Sequence, residues 1–107
     1  MSDAPSLRTV LEATAAELAD VERFADGGVI ELRRSGRAFA RLEAGRAAFR
    51  LDRVIAPAAL QTPDTSPSPL GPDWVVFAPA VVDAYAVDRA SAWLEAAWRR
   101  AAPAARS

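Results

Sequence analysis

A chain of 107 residues, 51% apolar and 25% charged, is enough for one domain with a single core and too short for two. Its formal net charge of −1 sets fourteen acids against thirteen bases, and every base is an arginine, because Lys, His and Cys are absent. Those absences exclude the usual zinc, haem and iron–sulfur sites, His-activated nucleophiles, thiol redox chemistry and lysine Schiff bases. Any catalysis falls to carboxylates, hydroxyls and arginines, and no cofactor is expected.

Residues 1–20 carry Asp3, Glu12, Glu17 and Asp20 without a basic start and an apolar block, so they do not read as a signal peptide. No apolar run approaches the roughly 20 residues that span a bilayer, and a cytoplasmic protein with no membrane partner is expected. Leu7, Val10, Leu11, Thr14, Leu18, Val21 and Ala25 recur every three or four residues, which predicts an amphipathic helix from Leu7 to Ala25. Ser6 suits its N-cap, and Gly27-Gly28 ends it.

Val29 to Arg33 reads as a strand, with Ser35-Gly36 turning into a hairpin over residues 37–51. In its first strand Ala38, Ala40 and Leu42 alternate with Arg37, Phe39 and Arg41. In its second, Ala47, Phe49 and Leu51 alternate with Arg46, Ala48 and Arg50. A tip at Ala44-Gly45 pairs Leu42 with Ala47, Ala40 with Phe49 and Ala38 with Leu51, giving one apolar face. It also pairs Phe39 with Arg50 and Arg37 with Asp52 on the outer face. A slip of one residue would bury Arg46 and Arg50, so this register is preferred.

Val54 to Leu60 suits a short helical turn. Residues 61–72 hold four prolines, which bar a helix or a central strand and predict a long loop, either functional or mobile, with mobile preferred. Trp74 to Phe77 resumes as a strand that Pro79 ends. Asp88 is the expected cap of a last helix whose stripe is Ala90, Leu94, Ala97, Trp98 and Ala101. The expectation is a single α+β domain over residues 1–107. It is a small antiparallel sheet with the N- and C-terminal helices packed on one face, a core over about residues 7–102 and a frayed tail at 103–107.

Gly36-Arg-Ala-Phe-Ala-Arg-Leu, a Gly-turn hairpin ending in Phe49-Arg-Leu, Asp73-Trp-Val-Val-Phe and Ala92-Trp-Leu-Glu-Ala-Ala-Trp-Arg resemble the MmcQ/YjbR family of bacterial domains. The related TfoX N-terminal domains share these features, and the similarity spans roughly residues 7–102. The resemblance implies a CyaY-like fold and, by analogy of the sheet with a known DNA-binding sheet, DNA binding. It carries over no catalytic or ligand-binding residues.

Charge is unevenly spread. Residues 1–31 hold seven acids against two arginines, while residues 32–53 hold seven arginines against Glu43 and Asp52. The outer hairpin face, Arg37, Phe39, Arg41, Arg46 and Arg50 with Arg33 nearby, is therefore the candidate nucleic-acid-binding surface. Arginines there meet phosphates and Phe39 stacks on a base. The competing reading is a solvated strand face with Phe39 shielded by arginine stems. Trp74, Trp93, Trp98 and Tyr85 read as core rather than a pocket lining. Asp83 and Asp88 flank Tyr85 but nothing else converges on them, so no enzyme is expected. The expected partner is DNA or another nucleic acid. The alternative is a protein- or small-ligand-binding module that uses the sheet edge, Phe39 and the proline-rich loop.

Overall fold

Ser6 opens the first helix: its Oγ accepts a hydrogen bond from the Thr9 N–H at 3.1 Å. The computed structural model describes residues 6–103. Helix α1 (Leu7–Ala16) buries Leu7, Leu11 and Ala15 at four-residue spacing. It stops nine residues short of the predicted end. Asp20 turns the chain at φ +59°, and β1 (Val21–Asp26) follows as a strand. The apolar spacing that suggested more helix serves a hairpin instead. Gly27 and Gly28, at φ +58° and +86°, make a type I′ turn that sets Asp26 opposite Val29 of β2 (Val29–Arg34).

The remaining elements are β3 (Arg37–Leu42), β4 (Ala47–Arg50), α2 (Ile55–Ala59), β5 (Thr65–Ser68), β6 (Gly71–Phe77) and α3 (Ala84–Arg100). One six-stranded antiparallel sheet runs in the order β1-β2-β3-β4-β6-β5. Ile30, Leu32, Ala40, Leu42, Ala47, Phe49, Val75 and Phe77 form its inner face, in one cluster with Leu7 and Leu11 of α1 and Ala90, Leu94 and Ala97 of α3. The terminal helices pack against each other and on β3, and α3 also meets β4. Alanines along the buried stripe of α3 let it lie close to the strands. The other face of the sheet is open. The fold is α+β with both terminal helices on one sheet face, and every buried side chain among the described residues is apolar.

Within the predicted hairpin, Leu42 pairs with Ala47 and Ala40 with Phe49. The pairing then stops. Between β2 and β3 the register jumps, with Leu32 opposite Ala40 and Arg33 opposite Ala38, so Phe39 is an extra, bulged residue. A bulge reverses the alternation beyond it. Phe39 turns inward and is fully buried beside Ala40. The expected pairs Ala38 with Leu51, Phe39 with Arg50 and Arg37 with Asp52 do not form. Asp52 instead starts α2: its carboxylate accepts from the Val54 N–H at 2.9 Å, and its carbonyl accepts from Ile55 and Ala56.

The proline-rich stretch is not one loop. Asp64 takes φ +66°, Thr65 Oγ1 donates to the Ala59 and Thr62 carbonyls, and residues 65–68 pair with β6. Prolines bar a central strand but not an edge strand, and β5 is an edge. At the opposite edge, β1 is almost wholly exposed and carries Glu22, Arg23 and Asp26.

Helix α3 begins four residues before the expected cap. Asp83, with extended backbone, accepts from the Ala86 N–H at 2.8 Å, and Asp88 lies inside the helix. Of the expected tail, residues 104–107 lie outside the described residues. No helix among the described residues is long and apolar enough to cross a membrane.

Candidate nucleic-acid interface

Strand alternation places Phe24, Glu31, Arg33, Arg41, Ala48, Arg50, Trp74 and Val76 on the open face, as the cross-strand partners Phe24 with Glu31, Arg41 with Ala48, Ala48 with Val76 and Arg50 with Trp74 require. The six residues singled out from sequence are not all there. Arg33 is, but it is engaged: its Nε donates to the Glu31 carboxylate at 2.5 Å, and its guanidinium lies 4.3 Å from the centre of the Phe24 ring. Arg46 is also paired, with Nε 2.9 Å from Glu43 Oε2. The hydrogen bond that Arg46 donates to Glu43, and then the Glu43 charge, raise the Arg46 pKa against slight desolvation, so Arg46 stays cationic.

Arg41 is different. It is half-buried between Val29, Ala48, Val76 and Leu70 in a groove of about 360 Å³. Its Nε is buried with no hydrogen-bond partner among the described residues. Arg50 lies at the end of the same face, 3.9 Å from an Asp73 carboxylate oxygen. Arg53, 87% exposed, reaches the same carboxylate at 3.9 Å and lines a second groove with Arg50, Leu70 and Trp74.

Phe39 and Arg37 are the two departures. With no exposed surface, Phe39 can neither stack on a base nor shield an arginine. Beyond the bulge Arg37 lies on the helix side, where it lines a cavity with Ala97, Arg100 and Ala101 of α3. The aromatic that accompanies the arginines is Trp74, half-buried on the open face next to Arg50 and not part of the core as expected.

The other aromatics disperse. Trp93 packs edge-on against Phe77 at 5.3 Å and tilts against Phe49 at 6.2 Å. Trp98 donates from Nε1 to the Ala19 carbonyl at 2.8 Å, with the Arg34 guanidinium 4.0 Å above its ring. Tyr85 is 81% exposed. Sequence reading missed Arg53, Asp73 and Arg100 as neighbours. They lie up to 47 positions apart, and only the pairing of β4 with β6 and the docking of α3 bring them together.

Fold and surface together define an α+β domain whose open sheet is basic over β3 and β4, uncharged over β6 where Trp74 and Val76 face outward, and mixed in charge over β1 and β2. Compared with family models, curated proteins and solved structures, the chain matches none.

Proposed function

We propose that the protein is a non-enzymatic cytoplasmic domain that binds nucleic acid weakly through the basic half of its open sheet face. The observation that supports this reading is the placement of Arg50 and Arg53 beside Trp74, with Arg41 in the neighbouring groove, on a surface no helix covers. Arginines contact phosphates, and an indole face is a sequence-tolerant stacking platform for a base. Arg33 and Arg46 contribute less, because Glu31 and Glu43 already hold them. Kinship with MmcQ/YjbR domains belongs to the same proposal and rests on the hairpin, the Asp73-Trp-Val-Val-Phe strand and the Trp-rich last helix.

Anisotropy of labelled single- and double-stranded DNA, titrated from low to physiological salt, tests the reading. Three phosphate contacts give a log–log salt slope near −2.7 on duplex and about −2.1 on single strands. Arg41→Gln and Arg53→Gln each remove about one unit of slope on duplex, and Trp74→Leu weakens single-strand binding more than duplex binding. Flat curves at low salt, where electrostatic binding is strongest, refute it.

A further inference from the structure

Where pairing between β3 and β4 stops at Ala40 and Phe49, the two strands separate beside the C-terminal end of α3. The gap opens into a cavity of about 450 Å³, within the size range of small-ligand sites. Its apolar wall is Ala38, Phe39, Ala97 and Ala101, and its polar groups are three arginines: Arg37, Arg50 and Arg100. These cations come from three different elements, so each is positioned independently by the fold.

The charges nearby do not cancel. Asp73 binds Arg100 at 2.8 Å and lies 3.9 Å from Arg50, and it is the carboxylate that pairs with cavity arginines among the described residues. Arg37 forms no ion pair among the described residues. Three guanidinium groups against one carboxylate leave two positive charges around a partly enclosed space. Mutual repulsion of like charges, poorly screened in such a place, favours an anion of matching valence. Guanidinium forks suit tetrahedral oxyanions with several acceptor oxygens.

We infer that this cavity is a binding site for a phosphate monoester in its dianionic form. A terminal phosphate places two negative charges and three acceptor oxygens among Arg37, Arg50 and Arg100, with the esterified group against the alanine and Phe39 wall. An internal phosphodiester of a nucleic acid carries one charge and is flanked by chain on both sides, which suits the open face and not this recess. Arg50 borders both surfaces, but Arg37 and Arg100 line the recess alone, so Arg37→Gln tests this site separately from the open-face reading. The same dianion is presented by a small phosphate ester or by the 5′-phosphorylated end of a nucleic acid.

The test is amide NMR of the full chain titrated with AMP, with adenosine, and with a short oligonucleotide carrying or lacking a 5′-phosphate. Binding at this site shifts the amides of residues 37–39 and 97–101 with AMP and not with adenosine. Arg37→Gln weakens AMP at least tenfold, whereas Arg99→Gln, the same charge loss on an exposed neighbour outside the cavity, changes it less than twofold. A phosphorylated oligonucleotide that shifts the same amides, where the unphosphorylated one does not, assigns the site to nucleic-acid ends. AMP shifts without that response assign it to small esters.

The pH dependence is a further check. The second phosphate pKa lies near ~6, and the sequence has no histidine or cysteine to titrate alongside it. AMP affinity therefore falls as pH is lowered from 7.5 to 5.5, as the dianion takes up a proton. Equal losses in the two variants, shifts with adenosine, or affinity that does not fall with pH overturn the assignment. Arg37 is exposed and outside the core, so the expected outcome is that the Gln variant keeps the fold, and its amide dispersion is the check.

Discussion

Phe39→Ala separates two geometries that predict opposite results. On a regularly alternating β3 the ring would stand among arginines in solvent, and its removal would change stability by no more than about 0.5 kcal/mol. With the bulge, Phe39 is fully buried in the same cluster as Leu32, Ala40 and Leu94. Truncating a buried Phe to Ala costs about 3–5 kcal/mol, the lost transfer energy plus the cavity left behind. A domain of this length is stable by roughly 5–15 kcal/mol, so the variant loses a large share of its margin. Urea denaturation followed by Trp fluorescence reads this directly. With a slope of about 1.5 kcal/mol/M, the midpoint falls by about 2–3 M. Phe39→Leu, which keeps most of the volume, falls by less than about 1 M. A Phe39→Ala midpoint within about 0.3 M of the parent would refute the bulge and return Phe39 and Arg37 to the open face.

Two further predictions concern single residues. Asp83→Ala removes the cap that accepts from Ala86 and lowers stability by about 1 kcal/mol, or about 4–8 °C in Tm, while Asp88→Ala stays within about 0.5 kcal/mol in a paired thermal melt. Asp73→Asn weakens the charge-assisted bond to Arg100 and lowers stability by about 1–2 kcal/mol, a range set below that of fully buried pairs because Arg100 is 28% exposed. That loss shrinks in 1 M salt. A loss independent of salt would mean that Asp73 acts by packing and not by charge.

Local signals carried much of the fold into the sequence. The alternation of Ala40, Leu42, Ala47 and Phe49 marks the centre of the hairpin, since a slip of one residue buries Arg46 and Arg50. The turns at Gly27-Gly28 and Ser35-Gly36 are visible as residues that tolerate positive φ. The bulge is not visible, because Ala38-Phe39-Ala40 fits a regular strand as well as a bulged one, and only the volume available beneath α3 decides between them. The first helix was overextended for a related reason: Leu18, Val21 and Ala25 satisfy a helical spacing, yet Val21 and Ala25 also satisfy an alternating one. Of the surface, Arg41 and Arg50 follow from strand period. Their association with Arg53, Arg100 and Asp73 depends on packing between distant stretches, to which no local pattern corresponds.

Both rims of the sheet are poor templates for a visiting strand. At one, β1 presents Glu22, Arg23 and Asp26. At the other, β5 carries Pro67, which has no N–H to offer, and the register slips at Ser68. These features work against copies of this protein pairing edge to edge into ribbons. The same features disfavour a peptide that relies on backbone pairing, which leaves side chains as the candidate means of recognition: the guanidinium groups, the indole of Trp74 and the recess beside Arg37.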